Sequence, residues 1–137
     1  MAEEEKVQFE LVSPEEILVS EAVDMVVVPG SEGDFGIMPR HALFLSSIRP
    51  GVVRVFTGGA ETWRIFVAGG FAEATAERCT VLADEAIQVK DIDRAATEAR
   101  LKDLREDLTD AKDDEARAAV ARRIRVAEAM LAAAAEA

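Results

Sequence analysis

Short segments in which apolar and polar residues alternate dominate the first two thirds of the chain. Val7, Phe9 and Leu11 alternate with Gln8 and Glu10, a pattern typical of a β-strand with one buried face. Further segments rich in strand-forming residues span 17–20, 23–28, 42–48, 52–57, 62–68, 71–76, 79–83 and 86–89. Turn residues separate them, and no stretch of helical period intervenes. Nine or ten consecutive strands predict an antiparallel β-sandwich.

From residue 91 onward the apolar residues recur at the spacing of an α-helix. Asp91 or Asp93 can cap a first helix, which ends before a polar break at 112–115. The apolar face of this helix comprises Leu101, Leu104, Leu108 and Ala111, and that of a second helix comprises Val120, Ile124, Ala127 and Leu131. Two helices joined by a short turn predict an antiparallel hairpin. Because its seam is mostly leucine and alanine, we expect a shallow contact that can open.

Composition changes where the period changes. All eight glycines, all four prolines, all six phenylalanines and the single tryptophan precede residue 90. We therefore predict an α+β chain with two domains. A β-sandwich occupies 1–90, and a C-terminal antiparallel two-helix hairpin occupies 91–137.

The charge balance excludes several classes of partner. With 27 acidic and 16 basic side chains the formal net charge is −11, and nucleic acid binding requires clustered lysine and arginine that this protein lacks. Its apolar stretches are shorter than the roughly 20 residues of a membrane span. The acidic start at 1–6 resembles neither a signal peptide nor a transit peptide, so we expect the protein to work in the compartment where it is made.

Residues that carry chemistry are scarce. One cysteine and one histidine exclude an intramolecular disulfide and a Cys/His zinc set, and the apolar neighbours of Cys79 predict a buried, inert thiol. The glycine-rich stretch 30–36 lacks the Gly-Lys-Ser/Thr ending of a phosphate loop, so we interpret it as a tight loop between two strands. These residues favour a binding protein over an enzyme. A small hydrolase using His41 with Asp34 or Asp84 remains a weaker alternative.

Four stretches also match a known family in order and separation. They are 28–42, 49–55 with Leu45 just before it, 69–73 and 81–86. Together with the helical tail, they closely resemble the epsilon subunit of F-type ATP synthases over essentially the whole sequence. The resemblance implies a ten-stranded antiparallel β-sandwich followed by the hairpin. The remaining alternative from another class is a free-standing acidic adaptor that binds an unrelated protein.

The resemblance implies a non-catalytic rotor component with no cofactor and no metal. Its sandwich would contact the gamma subunit and the c-ring, and its hairpin could extend towards the catalytic alpha and beta subunits and inhibit ATP hydrolysis. The implied location is peripheral, on the cytoplasmic face of the bacterial inner membrane. The residues expected at the c-ring are Glu32, Asp34, Met38, Arg40 and His41.

The sequence departs from the family pattern in two places. Where the family has Pro-Gly-His-Ala-Pro, residues 39–43 place Arg40 at the glycine and Leu43 at the second proline. The ATP-binding motif Ile-Asp-x-x-Arg-Ala has Ala96 in place of its arginine, and Arg94 lies on another side of the helix. We therefore expect weak or absent ATP binding, with Arg94 paired to Glu98 instead.

A basic segment of the second helix is a candidate contact with the catalytic head. It contains Arg117, Arg122, Arg123 and Arg125. Arg122 and Arg125 point away from the apolar face, so they are free to meet an acidic partner surface. The alternative is that these arginines only solvate the helix and offset the acidic residues of its neighbour.

Overall fold

Ten β-strands form within residues 5–136, the part of the protein that the computed structural model describes. They are β1 Val7–Val12, β2 Ile17–Val23, β3 Met25–Gly30, β4 Gly33–Ile37, β5 Phe44–Ile48, β6 Gly51–Thr57, β7 Ala60–Val67, β8 Gly70–Ala74, β9 Arg78–Ala83 and β10 Ala86–Gln88. The predicted series of strands is confirmed, and β4 is the strand that the pattern missed. The acidic residues 1–4, considered above for targeting, lie outside the described residues.

The strands pair into one continuous sheet that folds over on itself. Its order is β10-β7-β6-β3-β5-β8-β9-β1-β2, with β4 pairing to β3. The register joins β3 to β5 through one residue pair only, Gly30 with Ile48, which divides the path into two five-stranded halves. The sandwich is confirmed, but the expectation of purely antiparallel pairing is corrected: β1 runs parallel to β9. This pairing joins distant parts of the sequence, so no local pattern predicts it.

One apolar cluster fills the space between the two halves. Phe9 and Leu11 of β1 are fully buried, as are Val53 and Val55 of β6 in the other half. In each strand these residues alternate with more exposed ones, as the two-residue period requires. Cys79 belongs to the same cluster, and its burial raises the pKa of the thiol to about 12. The prediction of a buried, inert cysteine is therefore confirmed.

The glycine-rich stretch is part of a β-hairpin rather than a loop between strands. β3 continues through Pro29 and Gly30, which were expected to end it, and β4 pairs back along it from Gly33 to Ile37. A Cβ on Gly30 would lie 2.7 Å from the carbonyl oxygen of Gly33 and 2.8 Å from the ring of Phe35. Gly30 thus allows the two strands to approach closely at their turn.

The C-terminal part forms the predicted helical hairpin. A 3-10 turn, Val89–Asp91, precedes α1 (Arg94–Asp110), and α2 spans Asp114–Ala135. Asp93 caps α1 through the backbone N–H of Ala96, and Asp113 caps α2 in the same way. The polar break is shorter than predicted because α2 already begins at Asp114, in the first turn where carboxylates are favourable.

The seam between the helices consists of small and medium-sized apolar residues. Leu101, Leu104 and Ala127 are buried in it, with Val120, Ile124 and Leu131 packed against them. These are the predicted apolar faces, except that Leu108 is only half-buried and Ala111 follows the end of α1. The protein divides into two compact units, Met1–Gln88 and Val89–Ala137, where composition had placed the boundary after residue 90.

Gly70 is the backbone position least able to accept a side chain. It has a φ of +138°, and a Cβ there would lie 2.1 Å from the carbonyl oxygen of Leu82. We expect Gly70→Ala to lower the free energy of unfolding by at least about 2 kcal/mol, through strain and overpacking. Gly36→Ala is the control, because its nearest heavy atom is the Met25 sulfur at 3.7 Å. Urea unfolding followed by Trp63 fluorescence measures both, and equal midpoints would contradict the assignment.

Candidate functional site

The five residues expected at the c-ring are not brought together. Glu32 lies in the β3–β4 turn and Asp34 near the start of β4, whereas Met38, Arg40 and His41 follow its last residue. At about 3.3 Å per residue, β4 separates the two groups by roughly 15 Å. One group therefore lies at each end of the sandwich.

The end that carries Glu32 and Asp34 is acidic. The register sets Gly30 opposite Ile48, Ile48 opposite Gly70, and Gly70 opposite Ala83, so the turns next to these residues are neighbours. The charged residues in these turns and in the β1–β2 turn are Glu15, Glu16, Glu32, Asp34, Arg49, Asp84 and Glu85, all exposed. We call this surface the acidic end.

Arg49 fixes the geometry of the acidic end. Its guanidinium donates from Nη1 to the carbonyl oxygen of Gly30 and from Nη2 to Oδ1 of Asp34, each at 2.5 Å. The hydroxyls of Ser31 and Ser47 lie 3.3 Å apart beside it. Arg49 thus ties the β3–β4 hairpin to the end of β5. Asp34 is oriented by this contact, while Glu32 at the turn remains exposed.

The opposite end carries the loop 38–43 between β4 and β5. Met38 and Leu43, two large apolar side chains, are 57% and 73% exposed. His41 donates from Nδ1 to the carbonyl oxygen of Ala42 at 2.7 Å, and its ring meets that of Phe44 edge-on. This loop combines exposed apolar groups with a histidine held by its own backbone.

The hydrolase alternative fails on this geometry. His41 lies at one end of the sandwich, and Asp34 and Asp84 lie at the other. The carboxylate of Asp34 is bound to Arg49, and Nδ1 of His41 is used by Ala42. Neither aspartate can orient the imidazole as a general base requires.

An apolar strip on the outer face of one half-sheet was missed by the sequence reasoning. It consists of Ile17, Leu45, Phe71 and Leu82, which are 44–63% exposed. Phe71 lies directly opposite Leu82, and Val12 lies opposite both Leu82 and Ile17. We call Ile17, Leu45, Phe71 and Leu82 the outer strip. The signal was present in the sequence, since Phe71 and Leu82 immediately adjoin the core residues Ala72 and Val81 and must face the other way.

The four basic residues of α2 have different surroundings. Arg117 donates to the carbonyl oxygen of Ala111 at 3.0 Å and contacts Asp114, so it holds the turn between the helices. Arg122, Arg123 and Arg125 are exposed, and within residues 5–136 no carboxylate forms an ion pair with them. Arg122 and Arg125 are three residues apart and share the side of α2 away from the seam, whereas Arg123 lies about 100° around the helix from Arg122. We call these three exposed residues, without Arg117, the basic surface.

The start of α1, where the ATP-binding motif would lie, is occupied by capping contacts. The carboxylate of Asp93 accepts from the N–H of Ala96 at 3.0 Å. Thr97 is buried and donates to the carbonyl oxygen of Asp93 at 2.8 Å. The expected pairing of Arg94 with Glu98 is wrong, since no ion pair joins them in the described part of the protein. Both side chains are exposed to water, which screens the attraction between surface charges one helical turn apart.

Two kinds of feature are absent from the described residues. Between residues 5 and 136 no group of three or more His, Cys, Asp or Glu side chains is placed to hold a metal ion. No helix in the same range is long and apolar enough to cross a membrane.

Comparison with known families covers both parts of the protein. Residues 6–89 match the family model described as the beta-sandwich domain of the ATP synthase delta/epsilon chain, and residues 93–137 match that of the C-terminal domain of the ATP synthase epsilon chain. The ATP synthase epsilon chain of Rhodospirillum rubrum is 54% identical over 129 residues, which span 94% of this protein and 96% of the relative. That of Maricaulis maris is 53% identical over 131 residues, which span 96% and 98%.

Two solved structures share the fold. One subunit of the Euglena gracilis mitochondrial ATP synthase aligns with a TM-score of 0.81 at 21% identity, over 93% of this protein and 81% of that subunit. One subunit of the Tetrahymena thermophila mitochondrial ATP synthase central stalk and c-ring aligns with a TM-score of 0.64 at 14% identity, over 96% and 99%.

Proposed function

The chain belongs to the family of ATP synthase epsilon chains, and from this premise we propose that it links the gamma subunit to the c-ring in the rotor of a bacterial F-type ATP synthase. Epsilon chains are structural and regulatory subunits, not catalytic ones. In this role the protein is held on the cytoplasmic face of the inner membrane through the complex. Family membership leaves no support for an adaptor with an unrelated partner.

The outer strip carries the proposed contact with gamma. Four large apolar side chains exposed on neighbouring strands are costly in water, and such patches on soluble domains mark protein interfaces. The strip lies on a rigid sheet, so it is presented to a partner with little loss of conformational freedom. Met38 and Leu43 add exposed apolar surface at the end opposite the acidic end.

The acidic end supports the proposed contact with the c-ring. Its surface is polar and exposed, which suits the polar loops that the ring is expected to present. Glu32 and Asp34 belong to it, whereas Met38, Arg40 and His41 lie at the other end of β4. We therefore propose that the ring contacts the first pair, and that gamma covers the outer strip along the side of the sandwich and extends to the remaining three residues.

The helical hairpin supports a regulatory contact with the alpha and beta subunits. Its small seam residues bury little area per side chain, so at about 25 cal/mol per Å² a partner can compete with the contact between the helices. Arg122, Arg123 and Arg125 offer positive charge to an acidic partner surface. Attraction of this kind weakens with added salt.

Removing the outer strip tests the contact with gamma. We expect Phe71→Ser with Leu82→Ser to weaken binding of the subunit to epsilon-depleted F1 by roughly 10- to 100-fold, because two apolar side chains that the complex buries are lost. Both side chains are exposed in the isolated protein, so its urea midpoint should change little. Thr62→Ser, at an exposed position of β7 in the other half-sheet, is the control and should bind normally. Wild-type affinity of the double variant would contradict the assignment.

Reversing charge at the acidic end tests the contact with the c-ring. We expect Glu32→Lys with Asp34→Lys to reduce ATP-driven proton pumping in reconstituted vesicles. Binding to epsilon-depleted F1 should stay within about twofold, because exposed pairs contribute little to the stability of the sandwich, which therefore still presents the outer strip. Glu106→Lys with Asp107→Lys makes the same charge change on the exposed face of α1 and should leave pumping intact. Equal pumping by both double variants would remove the acidic end from the interface.

Truncation after Val89 tests the regulatory role of the hairpin. We expect rotor assembly to survive, because the apolar core of the sandwich lies within Met1–Gln88, and ATP hydrolysis by the complex to rise at low salt. Full-length Arg122→Gln, Arg123→Gln and Arg125→Gln together should reproduce much of this rise if the basic surface carries the contact. Unchanged hydrolysis in the truncated complex would show that the hairpin does not inhibit.

A further inference from the structure

We infer that Arg40 is a positioning residue: its ion pair with Glu5 holds the loop 38–43 against the sandwich and sets how firmly that loop engages its partner. The inference rests on the proposed function, in which the loop lies on the gamma side.

The backbone of Arg40 is in an uncommon conformation. Its φ of +67° is the one positive value at a non-glycine residue in the described part of the protein, and the left-handed region costs an ordinary residue roughly 1 kcal/mol. The N–H of Arg40 donates to the carbonyl oxygen of Ala76 in the β8–β9 turn at 2.7 Å. The loop is therefore tied at its middle to a neighbouring turn, through a residue that glycine could replace without strain.

The side chain of Arg40 supplies what glycine would lack. Its Nη2 donates to Oε1 of Glu5 at 2.5 Å, which joins the loop to the segment just before β1. The two side chains are 79% and 49% exposed. An ion pair this exposed contributes at most about 1 kcal/mol and is screened by salt. The tether is therefore weak and responds to ionic strength.

Glu5 is a fixed anchor because the residues after it are held firmly. Lys6 forms an ion pair with Asp24 in the β2–β3 connection, and Asp24 also accepts from the N–H of Gly58 at 2.7 Å. The Lys6 contact, followed by the Gly58 hydrogen bond, holds the pKa of Asp24 below its usual range. The N–H of Gln8 donates to the carbonyl oxygen of Glu77 at 2.9 Å. Glu5 thus extends from an immobilised start of β1.

The tether lies between the two exposed apolar side chains of the loop. Met38 precedes Arg40 and Leu43 follows it, and both sit between the buried Ile37 and the partly buried Phe44. With its ends fixed by β4 and β5, the loop can vary only at its middle. Holding Arg40 therefore limits the arrangements that Met38 and Leu43 can adopt, which reduces the entropy lost when a partner binds.

Amide hydrogen exchange on the isolated full-length protein tests the tether directly. We expect Arg40→Gln and Glu5→Gln each to speed exchange of the amide at position 40, which is bonded to Ala76, by about two- to fivefold at low salt, the factor that an exposed ion pair supports. Arg40→Lys should retain most of the protection, and the charge swap Glu5→Arg with Arg40→Glu should restore it. Glu10→Gln breaks the ion pair with Arg78, which is also exposed, and should leave the loop unchanged.

Binding to epsilon-depleted F1 separates the tether from the function of the loop. We expect Arg40→Gln to bind two- to fivefold more weakly than wild type at low salt and equally at high salt, with the swap restoring affinity. Unchanged exchange in Arg40→Gln would overturn the tether. Faster exchange with unchanged binding would leave the tether standing and remove the loop from the partner surface, which contradicts that part of the proposed function. A loss that high salt does not abolish would also overturn the tether, since it would not be ionic.

Discussion

The apolar packing between the two half-sheets is the constraint on which the sandwich depends. On the path through β3 and β5 the halves share a single residue pair, so backbone hydrogen bonding does little to hold one half over the other. Inward residues such as Phe9 and Val55 do this work. Because each strand has only two faces, the inward residues also determine which residues face outward. The outer strip and the ends of the strands that lead into the exposed turns are therefore placed by the core.

The sequence predicts the parts of this fold that follow from local periodicity. Alternation at Val7, Phe9 and Leu11 identifies β1, and helical spacing at Leu101 and Leu104 identifies α1. The sequence pattern did not predict β4 because Gly33 and Gly36 disfavour a strand. Pairing with β3 overrides that preference in the structure. The parallel pairing of β1 with β9 is set by the closure of the whole sandwich. It lies beyond any local pattern.

The candidate site residues can be divided in the same way, into those placed by local structure and those placed by long-range contacts. Sequence alone places Glu32 in a turn, and Arg122 and Arg125 on the outer side of α2, since these positions depend on local structure. It assigned Asp34 to the same turn, whereas the structure places Asp34 in β4. It could not show that β4 carries His41 away from Asp34, because that separation requires knowing that 33–37 is extended. Nor could it show that Arg117 holds the helical turn through Ala111, because that contact depends on where α1 ends.

The parallel pair of β1 and β9 has a consequence for synthesis of the protein. β1 cannot pair with β9 until residues 78–82 have left the ribosome. Phe9 and Leu11 therefore stay in a partial structure while some seventy intervening residues are added. At about 5–20 residues per second this takes roughly 4–14 s. Long-range closure of this kind slows folding. The sandwich sequence is nevertheless complete while the helical residues are still being translated. The nascent polypeptide can thus close its core while its C-terminal part still tethers it to the ribosome, away from other copies with equally exposed strands.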